Sequence, residues 1–74
     1  MIFEKQMLDY QAVINNGLNN QDDVTDWEIK FLRDFQTRLN TYGMQTHVSP
    51  KQDETFERIE EKLRKALGDD YAQT

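Results

Sequence analysis

The chain has 74 residues, no cysteine, one histidine and a formal net charge of −5. This length leaves room for one domain with one small core, and the lack of cysteine excludes disulfides and thiolate metal sites. The net charge argues against strong, indiscriminate attraction to DNA or to an anionic membrane. Because no apolar stretch is long enough to span a bilayer and residues 1–4 do not resemble the start of a signal peptide, we expect a cytoplasmic protein.

The first predicted helix covers residues 2–16. Apolar side chains recur there about every 3.6 residues, which is the period of an amphipathic helix. The sequence Asn15-Asn16-Gly17 predicts its end, because glycine readily takes the left-handed conformation that closes many helices. The polar residues 18–24 are predicted to form a connection with room for one short turn of helix. The apolar positions are Ile2, Phe3, Met7, Tyr10, Val13 and Ile14.

A capping box opens the second predicted helix, which covers residues 26–42. The hydroxyl of Thr25 can accept a hydrogen bond from the backbone N–H of Glu28, and the Glu28 carboxylate can accept one from the N–H of Thr25. Gly43 is predicted to end the helix. The apolar face consists of Phe31, Leu32, Phe35, Leu39 and Tyr42.

A second capping box opens the third predicted helix, which covers residues 50–67. Ser49 is placed as the cap, Pro50 at the first helical position and Gln52 at the third. Gly68 is predicted to end the helix. The apolar face consists of Phe56, Ile59, Leu63 and Leu67.

Three amphipathic helices with short connections predict an all-α fold, a small antiparallel bundle of three to four helices. The bundle is expected to be a single domain of residues 1–74, with a mobile C-terminal tail from about residue 69. A short extra helix has room in the first connection or in the tail. Tyr71 is placed to fold back onto the bundle in a short final turn.

The third helix separates its charges. At 100° per residue, four bases fall within about 60° of one another beside the apolar face, whereas most of the acids lie on the far side. Such a stripe lets an acidic protein present a local positive ridge to phosphate groups. These bases, the basic stripe, are Lys51, Arg58, Lys62 and Lys65.

A simpler interpretation of the third helix is a solvated surface balanced by its own ion pairs. Acids that precede bases by four residues stabilise a helix by about 0.2–0.5 kcal/mol for each pair. The pairs with this spacing are Glu54–Arg58, Glu60–Arg64 and Glu61–Lys65.

Trp27 lies at the border of the apolar face of the second helix, and Arg38 has a similar position three turns later. A border tryptophan can stack on an unpaired base or anchor a protein partner. Its commoner role is to cap the end of a small bundle, and we predict this structural role for Trp27. Trp27 and Arg38 are therefore weaker candidates than the basic stripe for contacts with nucleic acid.

Residues suited to catalysis or metal binding are scarce. The one serine, Ser49, is used as a helix cap and cysteine is absent, so we expect no enzyme activity. His47 has no other ligand at metal-binding spacing and is predicted to be an exposed loop residue. We therefore expect neither a cofactor nor a metal site.

Over residues 24–63 the sequence resembles a helical hairpin of phage and bacterial proteins. In that pattern a tryptophan-led helix is followed by a short loop and by Leu-Ser-x-Lys-Gln, which opens another helix. Val48 stands here where the pattern usually has leucine. The matching residues are Trp27-Glu28-x-x-Phe31-Leu32, Leu39, Val48-Ser49-Pro50-Lys51-Gln52 and Ile59-Glu60-x-Lys62.

The whole length also resembles the small helix-bundle proteins associated with UvsW, the recombination and repair helicase of T-even phages. Their four-helix bundle is similar to the HRDC-type module of RecQ helicases, which recognises nucleic-acid structure. The resemblance implies a detached helicase accessory module that contacts DNA or the helicase in the host cytoplasm.

These observations lead to two functional hypotheses. The first is an accessory module that binds single-stranded or branched DNA weakly and in a salt-sensitive way, through the basic stripe, and works with a phage recombination or repair helicase. The alternative is a non-enzymatic protein-interaction or adaptor module that docks on a phage or host protein through its acidic faces or the apolar surface near Trp27 and Tyr71. Weak self-association is also expected, because a thin core leaves apolar surface uncovered.

Overall fold

The structure is a computed structural model that describes residues 1–71. Within these residues it contains three α-helices, each followed by a single 3₁₀ turn, and no β-strand. This confirms the predicted all-α fold, and the 3₁₀ turns take the place of the short extra helix. The helices are α1 (Glu4–Asn19), α2 (Asp26–Tyr42) and α3 (Pro50–Leu67), and the turns are Gln21–Asp23, Gly43–Gln45 and Gly68–Asp70.

The bounds of α1 differ from the predicted range of 2–16. The helix begins later because Phe3 is its N-cap, with a backbone N–H that donates to Oε1 of Gln6 at 2.9 Å. The helix also continues through Gly17, so the predicted stop at this glycine is wrong. A Cβ at Gly17 would collide with the side chain of Leu32. Gly17 therefore allows α1 to pack closely on α2 and does not end the helix.

The helices α2 and α3 have the predicted bounds, and both predicted capping boxes are present. Thr25 Oγ1 accepts from the backbone N–H of Glu28 at 3.1 Å, and Glu28 Oε1 accepts from the N–H of Thr25 at 2.8 Å. The hydrogen bonds between Ser49 and Gln52 are equivalent, at 3.2 and 3.0 Å. The helices end at the positive-φ residues Gly43 and Gly68.

Neighbouring helices in the chain are antiparallel, as predicted. The backbone N–H of Ile2 donates to the carbonyl of Met44 at 2.8 Å, which places the start of α1 beside the end of α2. An ion pair between Glu28 and Lys62 places the start of α2 beside the later turns of α3. Consequently α1 and α3 run in the same direction, and α3 has α1 on one side and α2 on the other.

The core lies where the three helices meet. Aromatic rings from all three helices are in contact there: Tyr10 lies 4.5 Å from Phe56 and 5.8 Å from Phe35, between ring centroids. Aliphatic side chains fill the rest of this small core. They are Ile2, Val13, Ile14, Leu32, Leu39, Ile59 and Leu63.

The last described residues fold back onto the bundle. The 3₁₀ turn after α3 returns the chain, and Tyr71 is only 9% exposed, with the guanidinium of Arg64 4.3 Å from its ring centroid. The prediction that Tyr71 packs on the bundle is therefore confirmed. The rest of the predicted mobile tail, residues 72–74, lies outside the described residues. Among the helices of residues 1–71, none combines the length and apolar character needed to cross a membrane.

Candidate nucleic-acid interface

The basic stripe runs along the side of α3 that borders α2. Lys62 fixes this orientation, because its Nζ donates to Oε1 of Glu28 on α2 at 2.6 Å. Lys51 and Arg58 lie on the same side of α3 as Lys62, since residues separated by four, seven or eleven positions share a helix face. Lys65 lies at the edge of this row, and all four side chains are exposed.

Arg58 is held against its own helix and not against an acid. Its Nη2 donates to Oγ1 of Thr55 at 3.4 Å, and the buried Thr55 hydroxyl donates to the carbonyl of Lys51 at 3.0 Å. The predicted Glu54–Arg58 ion pair is therefore wrong. No ion pair within residues 1–71 involves Lys51 or Arg58, so both charges stay open to a ligand. The other predicted pairs are present, Glu60–Arg64 at 2.8 Å and Glu61–Lys65 at 3.5 Å.

The ion pair between Lys62 and Glu28 joins the basic stripe to the capping box of α2. The same atom, Glu28 Oε1, accepts from Lys62 and from the backbone N–H of Thr25. Burial alone raises the pKa of Glu28, but the hydrogen bonds from Lys62 and Thr25 outweigh it and leave the pKa below its usual value. The sequence did not predict this contact, because the two partners are 34 residues apart.

Three of the five acids of α3, Asp53, Glu57 and Glu60, lie on its other side, toward α1, whereas Glu54 and Glu61 lie beside the basic stripe. Asp53 Oδ1 accepts from the hydroxyl of Tyr10 at 2.7 Å. Burial and the hydrogen bond to Asp53 raise the pKa of Tyr10 well above its usual value. The charges of α3 are therefore divided in part, with most of its bases toward α2 and three of its acids toward α1. The acids that line the depression between α1 and α3 are Asp9, Asp53, Glu57 and Glu60.

Trp27 lies on the surface of α2, in its first turn. Its ring is stacked on Phe31, with centroids 5.6 Å apart and planes 12° apart, and the residue is 61% exposed. Phe31 is half-buried and contacts Phe56 of α3 at 5.1 Å. The role predicted for Trp27, as a cap on the bundle, stays a prediction. The ring lies over a core residue and leaves most of its own surface to solvent.

Arg38 lies on the same side of α2 as Trp27, eleven residues and about 16 Å further along the helix axis. Its side chain lines a shallow depression with the exposed Tyr42 and His47. By the same helical geometry Asp34 shares this side of α2 and opposes its positive charge. Bases and aromatic rings thus occur near both ends of α2, on its side toward α3.

We call this surface the α2–α3 face. It combines open positive charge with two exposed aromatic rings, at opposite ends of α2. No group of three or more His, Asp and Glu side chains within residues 1–71 is arranged to hold a metal ion. The α2–α3 face consists of Trp27, Phe31, Arg38 and Tyr42 from α2 and Lys51, Arg58 and Lys62 from α3.

No protein-family model, curated protein or solved structure matches this chain. The resemblance to helicase-associated helix bundles therefore rests on the sequence pattern, and the activity that it implies stays a prediction.

Proposed function

We propose that this protein is a non-enzymatic accessory module that binds single-stranded or branched DNA and works with a phage recombination or repair helicase. The observation that supports DNA binding is the α2–α3 face. There, Lys51 and Arg58 have no ion-pair partner within residues 1–71, and Lys62 continues their row. The helicase part of the proposal is supported by the sequence resemblance alone.

The net charge of −5 opposes this proposal less than its size suggests, because part of the negative charge lies away from the basic stripe. An α-helix with its side chains is about 10–12 Å wide, so the acids toward α1 lie about that far from the basic stripe. The Debye length is about 10 Å at 0.1 M ionic strength. At moderate salt a phosphate group beside Arg58 is therefore attracted by the nearby bases and partly screened from the acids toward α1, whereas Glu54, one turn before Arg58, still repels it.

The number of bases sets the expected strength of binding. Each phosphate contact with a single strand contributes about −0.7 to the slope of log affinity against log salt. Three contacts predict a slope of about −2, so binding is detectable at low salt and falls steeply as salt is added. Such weak, non-specific attachment suits a module that assists a larger DNA enzyme.

The test is a titration of labelled single-stranded and forked DNA at low and moderate salt, followed by fluorescence anisotropy. The double variant Lys51→Gln/Arg58→Gln removes two open charges of the basic stripe. The matched control Lys30→Gln/Arg33→Gln removes two exposed charges from α2, on the side away from α3.

We expect the stripe variant to lose about tenfold in affinity and to reduce the salt slope by about 1.4, with much smaller changes for the control. Equal losses in the two variants would show that net charge alone matters. An absence of binding by the wild type at low salt would reject the proposal.

A second candidate function is a protein-interaction or adaptor module, and one observation favours it. Phe3 and Met44 are exposed apolar residues at the same end of the bundle, where Ile2 pairs with Met44. Tyr71 is buried and does not contribute such a surface. A stoichiometric partner that binds the wild type and the stripe variant equally, but not Phe3→Gln, would favour this function. Weak self-association stays a prediction, which sedimentation at two concentrations tests.

A further inference from the structure

Trp27 and Phe31 form a two-ring stack on the α2–α3 face. Their planes are nearly parallel, at 12°, and the centroids are 5.6 Å apart. At this centroid distance the two near-parallel rings overlap only in part, and Trp27 is 61% exposed. Much of the indole surface is therefore open to solvent.

The stack has a firm base. Phe31 is half-buried and contacts two core rings, Phe56 at 5.1 Å and Phe35 at 6.0 Å between centroids. Trp27 itself lies in the first turn of α2, where the hydrogen bonds of the capping box hold the backbone. A ring positioned in this way loses little conformational freedom when a ligand covers its open side.

Positive charge lies next to the stack. Glu28, the residue after Trp27, is paired with Lys62, and Arg58 lies one turn before Lys62 on the same side of α3. An aromatic surface beside bases matches the two parts of a nucleotide, because the base can stack while its phosphate meets a cation. Trp27 also has two acidic neighbours in the chain, Asp26 and Glu28. A phosphate group must therefore displace the Glu28 carboxylate to reach Lys62, whereas Arg58 has no ion-pair partner within residues 1–71.

We infer that Trp27 is a stacking platform for one unpaired base, with the flanking phosphate at Lys62. This inference rests on the proposed function and narrows its ligand class to single strands and the single-stranded arms of forks. In continuous duplex every base is already stacked and paired, so none is available to the indole without unpairing. Duplex DNA is then held by the basic stripe alone.

The test uses the intrinsic fluorescence of the full chain, in which Trp27 is the single tryptophan. The probes are an oligothymidylate, a fork with oligothymidylate arms and a blunt duplex of the same length. We expect the oligothymidylate and the fork to quench the emission and the duplex to leave it nearly unchanged. In anisotropy titrations, Trp27→Ala should lose about tenfold in affinity for the oligothymidylate, with the salt slope preserved, because stacking involves no ion release.

Two variants complete the design. Trp27→Phe keeps an aromatic surface and should retain most of the affinity that Trp27→Ala loses. Phe3→Ala is the matched control, since Phe3 is an exposed aromatic residue (78% exposed) that lies outside the α2–α3 face and has no ring stacked against it within residues 1–71. If Trp27→Ala does not fold, as judged by circular dichroism, the quenching experiment and Trp27→Phe still decide the question.

The outcomes separate this inference from the proposed function. Salt-sensitive binding that depends on Lys51 and Arg58, with unchanged Trp27 emission and equal affinities for Trp27→Ala and the wild type, overturns the inference and leaves DNA binding in place. Equal quenching by duplex and single strand also overturns it. If the oligothymidylate does not bind at low salt, both fail. A protein partner lost only in Trp27→Ala, without any effect on DNA, would show that the ring is a protein anchor.

Discussion

Replacement of Glu28 by glutamine is predicted to weaken the fold and to strengthen DNA binding. The Glu28 carboxylate accepts from the backbone N–H of Thr25 at 2.8 Å and pairs with Lys62 at 2.6 Å. A glutamine can still accept the capping hydrogen bond, as Gln52 does in the second capping box at 3.0 Å. The substitution therefore removes the charge and keeps the cap.

The loss of stability follows from how exposed this ion pair is. The side chain of Glu28 is 13% exposed, but that of Lys62 is 42% exposed, so solvent screens much of the attraction. We expect about 0.5–1 kcal/mol from the pair, including the favourable position of a negative charge in the first turn of α2. In a domain of this size, the loss of that much stability lowers the melting temperature by about 3–6 °C. Thermal and urea unfolding followed by circular dichroism measure it.

The gain in DNA affinity has two sources. Glu28→Gln frees Lys62 for a phosphate group and removes a negative charge from the edge of the α2–α3 face. Because Lys62 is already one of the three phosphate contacts, the salt slope for a single strand should stay near about −2, and we expect a three- to tenfold higher affinity at low salt. Anisotropy titrations at several salt concentrations measure both quantities.

The effect on stability also depends on pH. Because the pKa of Glu28 lies below its usual value in the folded protein, the ionised carboxylate stabilises the fold above the usual glutamate pKa of about 4.3. This stabilisation is lost as the pH falls through the lower pKa of the folded state. Glu28→Gln lacks this contribution at every pH. The difference in free energy of unfolding between the variant and the wild type should therefore become smaller in acid.

The matched control is Glu61→Gln, which removes the same charge from a more exposed pair, Glu61–Lys65 at 3.5 Å. We expect little change in stability from it. The prediction is refuted if Glu28→Gln lowers both DNA affinity and stability. It is also refuted if the changes in DNA affinity and stability are no larger than those of Glu61→Gln.

Three further substitutions test the fold. Gly17→Ala should destabilise by about 1 kcal/mol in urea unfolding, because overpacking against Leu32 costs about 1–3 kcal/mol and better helix propensity returns at most about 1. A more stable variant would contradict this. Tyr10→Phe should cost about 1 kcal/mol through the lost hydrogen bond to Asp53. Because the pKa of Tyr10 is raised on folding, the wild type should lose stability above about pH 10, and Tyr10→Phe should lose less there. Ser49→Ala should lower stability by about 1 kcal/mol, and an unchanged melting temperature would argue against the cap.

The parts of the fold that the sequence predicts well are those set by local signals. The capping boxes and terminal glycines of α2 and α3 act within four residues of each helix end, so their bounds are correct. The end of α1 depends on a contact in space. Gly17 has the local sequence pattern of a helix end. The space where its Cβ would lie is occupied by Leu32, which is 15 positions away in the chain. Local patterns carry no information about such a contact, and the prediction failed there.

The same distinction applies to the α2–α3 face. The separation of bases from acids on α3 follows from helical periodicity and is visible in the sequence. The partners of these bases are not visible in the sequence. Arg58 donates to Thr55 instead of pairing with Glu54, and Lys62 pairs with Glu28 on another helix. Trp27 and Phe31 are four residues apart, a spacing at which helix side chains are neighbours, so a contact between their rings could have been predicted from the sequence. Its exposure depends on how α2 packs against α3.

Glu28 links the stability of the bundle to the charge of its surface. One carboxylate oxygen caps α2, neutralises Lys62 and joins α2 to α3. A phosphate group that binds Lys62 competes with this carboxylate, so part of the binding free energy is used to break an internal ion pair. When a ligand takes Lys62 away from Glu28, the Glu28 carboxylate keeps its hydrogen bond to Thr25, so α2 stays capped. In the proposed complex, a phosphate group therefore replaces the Glu28 carboxylate at Lys62, while the helix that carries Trp27 stays in place.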